Sequence, residues 1–544
     1  HLRFRRQRQM CIRDRLMNCR FFLALMATAY LTTGFSQTLK HTESGVPWSE
    51  TITPEDLSYH LHILAADSME GRETGKRGQR MAADYIAQHF EAVGLLPVKG
   101  SYMQEVPLKV PPLNGGVLTI ENQQFLYKKD WVPYPGIEVS DIEGSVVFAG
   151  YGIQDKDAGW DDYTGLNVQD KVVIFLAGEP GDAKKGYALT GTKEPSSWGS
   201  MRNAKREVAD SLGASAVIVV TEEYATLKSR FVPWLSRERM RLDLDREGEG
   251  TDVPTLLMNP PSFLALTGWK SLDYARKKWP KRKLDNVSWG AGKIALARKD
   301  EKVMAHNVWG MIPGSDSTLA EEIVVLTSHY DHVGVDKSGE VYNGADDDGS
   351  GTVSLLENAE AWMEATKAGE GPRRSVLFMA FVGEEKGLLG SEWYSDHPAF
   401  ELEQHVCDLN MDMVGRFDEA HADDDRYIYL IGSDKLSSEL HEISEAVNAA
   451  HTGLSLDYTF NAPDDPNRFY YRSDHYNFAK HGIPVIFYFS GVHEDYHGVG
   501  DTPGKIRYPK MAEIGQLVFL TSWEVANRDK KLVVDRVNDF PTDR

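Results

Sequence analysis

The sequence predicts an α/β protein: a mixed, mainly parallel sheet flanked by helices, interrupted by a second unit that is β-rich. Three observations predict it. Apolar runs of strand length at 323–326, 375–382, 406–411 and 484–489 are each bounded by polar residues, as buried strands are. Segments with apolar residues at helical spacing lie before, between and after these runs. Residues from about 125 to 290 carry strand-like runs of their own and break the alternation.

A chain of 544 residues is long enough for more than one domain, and 41% hydrophobic with 26% charged residues is ordinary for a globular protein. The formal net charge of −21 disfavours nucleic acid and anionic membranes as general partners, although local patches can differ. Three cysteines, Cys11, Cys19 and Cys407, leave no intramolecular disulfide, because only Cys407 lies in the expected mature chain. It falls inside a strand-like run, where a thiol acts as a small apolar group.

Taken in order, residues 1–16 are Arg-rich, without a starting Met or apolar periodicity, and read as upstream sequence before Met17. Met17 to Arg20 is a short basic region, Phe21 to Leu31 an apolar one, and Gly34-Phe35-Ser36 a small-residue cleavage site ahead of Gln37. Residues 1–36 are therefore expected to be upstream residues plus a secretory signal peptide. An apolar stretch of 11 residues falls short of the about 20 needed to cross a bilayer. The expected product is exported, periplasmic or extracellular, with no stable membrane anchor.

Two helices are expected at 54–66, carrying Leu57, Leu61 and Leu64, and at 76–93, carrying Met81, Tyr85, Ile86, Phe90 and Val93. In the loop between them, Glu70 and Arg72 either pair with each other or reach the rim of a site. The main domain is expected at 40–124 and 291–530, with the insertion at 125–290 and a loosely held surface tail at 531–544. Within the insertion, strands are expected at 144–152, 170–176 and 216–220, with a helix at 206–212. Lys270 to Lys283 is basic, with Trp269, Tyr274 and Trp279 interleaved, and reads as a solvated helix face. Asn286-Val287-Ser288 matches a glycosylation sequon. A closing amphipathic helix is expected at 510–526, with Met511, Ile514, Val518 and Trp523 on one face.

Chemistry gathers at the strand ends. Ser328-His329-Tyr330-Asp331-His332 and Gly344-Ala345-Asp346-Asp347-Asp348-Gly349-Ser350-Gly351 follow the first main-domain run. The next runs end in Glu384-Glu385, in Asp412, and in a loop with His493, Asp495, Tyr496 and His497. Four strands thus bring His329, Glu384/Glu385, Asp412 and His497 to one edge, and Asp347 opens the helical segment 351–367. The carboxyl ends of strands in open α/β sheets are where ligands bind. Imidazole and carboxylate together suit zinc. A Glu-Glu pair directly after an apolar strand can divide its roles, one carboxylate as ligand and one as base.

These motifs, with Phe381-Val382-Gly383-Glu384-Glu385-Lys386-Gly387, Asn410-Met411-Asp412, Ser473-Asp474-His475 and Asp495-Tyr496-His497-Gly498, resemble the secreted co-catalytic di-zinc aminopeptidases of the aminopeptidase S and aminopeptidase Y kind. Glutamate carboxypeptidase II and glutaminyl cyclase are relatives of that family. The resemblance implies a zinc-exopeptidase fold, two Zn²⁺ ions, and peptide substrates with a free N-terminus. It implies that His329, Asp347 and Asp412 hold one zinc, and that Asp347, Glu385 and His497 hold the other, with Asp347 bridging. Glu384 would be the base for a metal-bridging water, Tyr496 the group that stabilises the oxyanion, and the bond after Asp347 would be cis. Asp331 is expected to accept the second ring N–H of a ligand His. His332, His475 and His493 are left as structural or supporting residues, and the role of Asp348 stays open. The insertion resembles a protease-associated domain that limits access to a cleft.

Other readings share parts of this constellation. A glutaminyl cyclase-like acyltransferase would work with one zinc. A carboxypeptidase for acidic C-termini would need an Arg cluster that the sequence does not place. A non-catalytic binding protein would have eroded ligands, and here all five and the base are present. The preferred N-terminal residue and the oligomeric state are not legible.

Overall fold

A computed structural model describes residues 39–110, 116–134, 142–199, 202–235, 240–244, 253–281, 287–296 and 301–537. The leader, Asn286 of the sequon and residues 538–544 lie outside them. The chain divides into two compact units, one of residues 1–108 with 303–544 and one of residues 109–302.

The first unit is an α/β layer built on a mixed sheet. Its central strands are neighbours in the order Ser375–Phe381, Ile323–His329, His405–Met411 and Val485–Phe489, all parallel. Antiparallel strands Glu301–Ile312 and Tyr427–Ile431 flank them. Every residue of the four central strands is buried. Sheets covered by helices on both faces favour such continuous apolar runs. Because the strands are parallel, their C-terminal ends lie along one edge, and each ligand-bearing loop leaves from that edge.

The helices Arg77–Val93, Gly351–Lys367 and Tyr508–Asn527 lie on the sheet, and Pro54–Leu64 packs on the last two. Thr53 caps Pro54–Leu64 through the Asp56 N–H, and Gly94, at φ 102°, ends Arg77–Val93 in the left-handed conformation that glycine adopts freely. The closing helix differs from its one-faced expectation. It is buried nearly all round, Lys510 and Glu524 included, because Thr42–Ser49, Pro54–Leu64, Gly351–Lys367 and Ser438–Val447 all pack on it. Glu524 accepts the Lys40 and His41 N–H groups. The segment after Asn527 is held rather than loose: Leu532 is buried and the Asp535 carboxylate accepts the Ser438 N–H.

The second unit is wider at both ends than the expected 125–290. Strands Gly116–Ile120 and Gln123–Leu126 pair with each other, and the former pairs with Ser288–Leu296, so the unit's own sheet begins before residue 125. That sheet has a parallel centre, Ile142–Phe148, Val172–Leu176, Ala216–Val220 and Thr255–Met258. Alternate residues feed two cores: Val172, Ile174 and Leu176 one, Val173 and Phe175 the other. The basic stretch forms helix Leu272–Lys278, and Trp279 is buried with its Nε1 donating to Asp162. Cys407 is buried and free. Among the described residues, no helix is long and apolar enough to cross a membrane.

Candidate metal centre

The four parallel strands and the turn into Gly351–Lys367 bring the sequence-predicted residues together. His329 ends its strand, and its Nε2 lies 3.5 Å from Asp347 Oδ1, 3.6 Å from Asp412 Oδ1 and 3.8 Å from Glu384 Oε2. On the other side of Asp347, Oδ2 lies 3.0 Å from His497 Nε2, which is also 3.1 Å from Glu385 Oε2. Asp347 therefore presents one carboxylate oxygen to each of two donor groups. His332 joins the second group: its Nδ1 lies 2.9 Å from Glu385 Oε1 and 3.7 Å from Asp347 Oδ2. The sequence reading had set this residue aside.

The donors fit a cation. Asp347 Oδ2, Glu385 Oε1 and His332 Nδ1 are all buried without a hydrogen-bond partner, although they face one another. Buried polar atoms are rarely left so unless something completes them. Imidazole nitrogens and carboxylate oxygens in this mix suit zinc. Donors of His329, Glu384 and Asp412 also lie within 4.8 Å of one another, so proximity alone does not separate ligand from base in the Glu384-Glu385 pair.

The electrostatics divide that pair. Burial, opposed by His329 and reinforced by Glu385 and Asp412, holds the Glu384 carboxyl well above the ordinary carboxylate range. Burial would raise Glu385 too, but the close imidazoles of His332 and His497 bring it below that range. Burial pulls His497 down, yet its contacts with Asp347 and Glu385 carry it up to about 10. Burial also raises Asp347, as does Glu385. Of the pair, Glu384 is thus the carboxyl that holds a proton more readily, and Glu385 the one committed as an anion.

A scaffold of hydrogen bonds fixes the ligand loops. The Asp347–Asp348 peptide bond is cis, as the resemblance implied. Asp348 is buried and staples three backbones: Oδ2 accepts the His329 N–H, and Oδ1 those of Gly351 and Met413. Asp501 accepts the N–H groups of Asp346 and Asp347. Ser473 donates to Asp412 Oδ2 at 2.7 Å. Asp331 departs from its expected part. The His329 Nδ1 contact is to the Asp331 backbone carbonyl at 3.2 Å, while the carboxylate stands 3.8 Å away. That carboxylate is occupied by the Thr74 hydroxyl and the Glu384 N–H, so it positions the Glu384 backbone instead.

Arg72 neither pairs with Glu70 nor reaches a rim. It is 1% exposed and donates to the carbonyls of Leu64, Tyr330, Asn343 and Gly344. Glu70 pairs with Arg77 instead. His493 meets Asp346 at 3.2 Å and His475 stacks on Phe487, both away from the donor groups.

Above the donors opens a cleft whose polar floor is His329, Asp347, Glu384 and Asp412. Its walls are Met413, Phe469, Phe487, Phe489 and Val492, with Arg472 and Tyr496 beside them. Tyr496 stacks on His497 with ring centres 4.0 Å apart, and burial raises its hydroxyl above the ordinary range.

Comparison with known proteins places residues 307–522 under the model of peptidase family M28. The chain is 30% identical over 241 residues to a probable leucine aminopeptidase of Trichophyton verrucosum (strain HKI 0517), covering 43% of this chain and 61% of that one. It is also 30% identical over 217 residues to aminopeptidase YwaD of Bacillus subtilis (strain 168), covering 39% and 42%. The matched part thus spans less than two thirds of these relatives. Among solved structures, a zinc aminopeptidase from Bacillus subtilis aligns with 19% identity and a TM-score of 0.45, over 88% of this chain and 96% of that one.

Proposed function

From the match of residues 307–522 to the model of peptidase family M28 we propose that the chain is a zinc-dependent aminopeptidase that removes apolar residues from the free N-terminus of peptides. The observation that carries the reading is Asp347, with one oxygen toward His329 and Asp412 and the other toward His497 and Glu385. His329, Asp347 and Asp412 would hold one zinc, and Asp347, Glu385 and His497 the other. When bound, such a pair supplies Lewis acidity at the scissile carbonyl and makes water acidic enough to attack near neutral pH.

The chain's own residues do the rest. Glu384 accepts a proton from the attacking water and returns it to the leaving amine, a task suited to a carboxyl whose proton affinity is already raised. Its backbone N–H is tied to Asp331, which limits how far it can drift from His329. Tyr496 stays a neutral hydroxyl and can donate to the carbonyl oxygen as negative charge grows there. The surplus of carboxylates around the floor would receive the substrate ammonium. Met413, Phe469, Phe487 and Phe489 offer apolar contact to the first side chain.

The test is a panel of leucyl, lysyl and glutamyl anilides with free and N-acetylated forms, assayed with and without chelator. Hydrolysis of free leucyl substrate that is lost on chelation and restored by zinc supports the reading. Turnover of the acetylated form, or insensitivity to zinc removal, would overturn it. Cyclisation of N-terminal Gln in place of hydrolysis would assign the site to an acyltransferase.

A further inference from the structure

A second set of metal-type donors lies outside that centre, among the helices of the first unit. His60 stands on Pro54–Leu64, His89 on Arg77–Val93, and Glu357 and Glu360 nearly one turn apart on Gly351–Lys367. One ring nitrogen of each His and a carboxylate oxygen of Glu360 lie within 4.8 Å of one another. Glu357 Oε1 is 3.4 Å from His60 Nε2, and Glu360 Oε2 is 3.8 Å from His89 Nε2. Tetrahedral zinc with ligands at about 2.0–2.1 Å keeps its donor atoms roughly 3.3–3.4 Å apart. The His60–Glu357 and His89–Glu360 distances are at, or a few tenths of an ångström outside, that spacing, and the donors of His60, His89 and Glu360 would draw in from within 4.8 Å to meet it.

Each imidazole is already anchored by one nitrogen. His60 Nδ1 is 2.6 Å from the Tyr85 hydroxyl, and His89 hydrogen-bonds the Leu356 backbone. Metal-bound histidines are oriented in the same way, one nitrogen held by a neighbour and the other free to ligate. His89 Nε2 and Glu357 Oε1 are buried with no hydrogen-bond partner, and the Glu357 side chain is 5% exposed. The surrounding charges add to the demand for a cation. Glu360, Asp56 and Glu364 all act on Glu357, and Lys367 offsets the charge of Glu360. Two histidines and two carboxylates from three helices form a donor set with borderline chemistry.

We propose that His60, His89, Glu357 and Glu360 bind a divalent transition-metal ion, zinc by donor type, at a site separate from the Asp347 centre, where it ties the two N-terminal helices to Gly351–Lys367. The role is structural, because four protein donors leave no open position for substrate. It does not depend on the peptidase reading.

The experiment uses the whole chain, stripped by chelator and titrated with zinc, with bound metal counted by elemental analysis. The variants are His89→Gln and Glu360→Gln. Glu360 is 43% exposed at its side chain, so its replacement leaves the core undisturbed. The parent should hold one equivalent more than either variant, and its melting temperature should rise with zinc under conditions where the variants' rise is smaller. A parallel Asp412→Asn variant should lose metal from the Asp347 centre and keep the extra equivalent. Equal metal counts in parent, His89→Gln and Glu360→Gln would overturn the proposal and leave the cluster as a neutral polar network. So would loss of the extra equivalent in Asp412→Asn.

Discussion

Replacing Glu384 with Gln removes a proton acceptor while keeping the shape of the side chain. Glu384 Oε2 sits 3.8 Å from His329 Nε2, and its backbone is held by Asp331, so the amide should occupy the same place. A positioned acid–base group contributes about 10²–10⁴-fold, or about 3–5 kcal/mol of barrier at 1.36 kcal/mol per factor of ten. The same carboxyl serves both water activation and leaving-group protonation, so the loss should fall at the upper end. Zinc content should be unchanged. In the metal-free protein the substitution should not destabilise the fold, because it removes one of several carboxylates that crowd each other, Glu385 and Asp412 among them. Glu385→Gln should behave in the opposite way. It removes an anion that contacts both His332 and His497, so one equivalent of zinc should be lost first. The assay is elemental zinc per chain beside hydrolysis of a leucyl anilide. If Glu384→Gln sheds zinc while Glu385→Gln retains it, ligand and base are exchanged. If Glu384→Gln keeps near-full activity, the mechanism is refuted.

Other outcomes follow from the same geometry. His332→Ala should weaken zinc at the Glu385 side by roughly 10–100-fold, the usual effect of removing a group that supports or joins a metal shell, read by chelator competition; unchanged affinity would make His332 a bystander. Arg72→Met should destabilise the protein by at least about 3 kcal/mol in denaturant titration, because four buried carbonyls lose a charged donor. Gly71→Ala should also destabilise: the position has φ 59°, and an added Cβ would lie 2.3 Å from the Gly334 carbonyl oxygen. The metal-free protein should lose thermal stability as pH rises from about 4 to 8. Burial lifts Asp501 to about 6, Asp474 to about 7 and Glu357 to about 8. Each of these carboxyls keeps a proton in the folded chain that it releases in the unfolded one, so its contribution to stability falls with pH across that window, against the opposite pull of His89 and His405, which burial lowers to about 4. Glu357→Gln should flatten its upper part.

The strands at 323–329, 375–381, 405–411 and 485–489 were legible because burial on both faces writes them as unbroken apolar runs. The ligand residues were legible because each follows such a run or, for Asp347, opens the helix that comes after one. Helix Thr42–Ser49 was not, since Gly45 and Pro47 lie inside it and it exists by packing, with Gly45 set against Trp523. The short strands at 116–126 carry too little alternation to announce a domain edge. The site's scaffold was least visible. Asp348, Ser473 and Asp501 act on backbones or side chains up to 155 residues away, and no local pattern marks a carboxylate that accepts a remote N–H. His332 was set aside because it stands beside the stronger His329 motif, and its partner Glu385 lies 53 residues further on.

The Arg72 guanidinium has a practical consequence. Its acceptors include Tyr330, Asn343 and Gly344, in the loops that carry His329, His332 and Asp347, and its own carbonyl receives the His332 N–H. Thr74 likewise steadies Asp331. Both come from a part of the chain more than 200 residues before the family-matched region 307–522. That region holds every ligand proposed for the Asp347 centre, with Asp348, Ser473 and Asp501 of its scaffold, yet lacks Arg72 and Thr74, which grip the same loops. A recombinant truncation drawn at its boundaries would be a poor minimal enzyme, whereas the segment from residue 39, added to it even as a separate peptide, should restore order to the ligand loops. The division of labour also means that a ribosome releases the clamp long before the loops it grips, so Arg72 and Thr74 are already in place in the chain when His497 and Asp501 emerge.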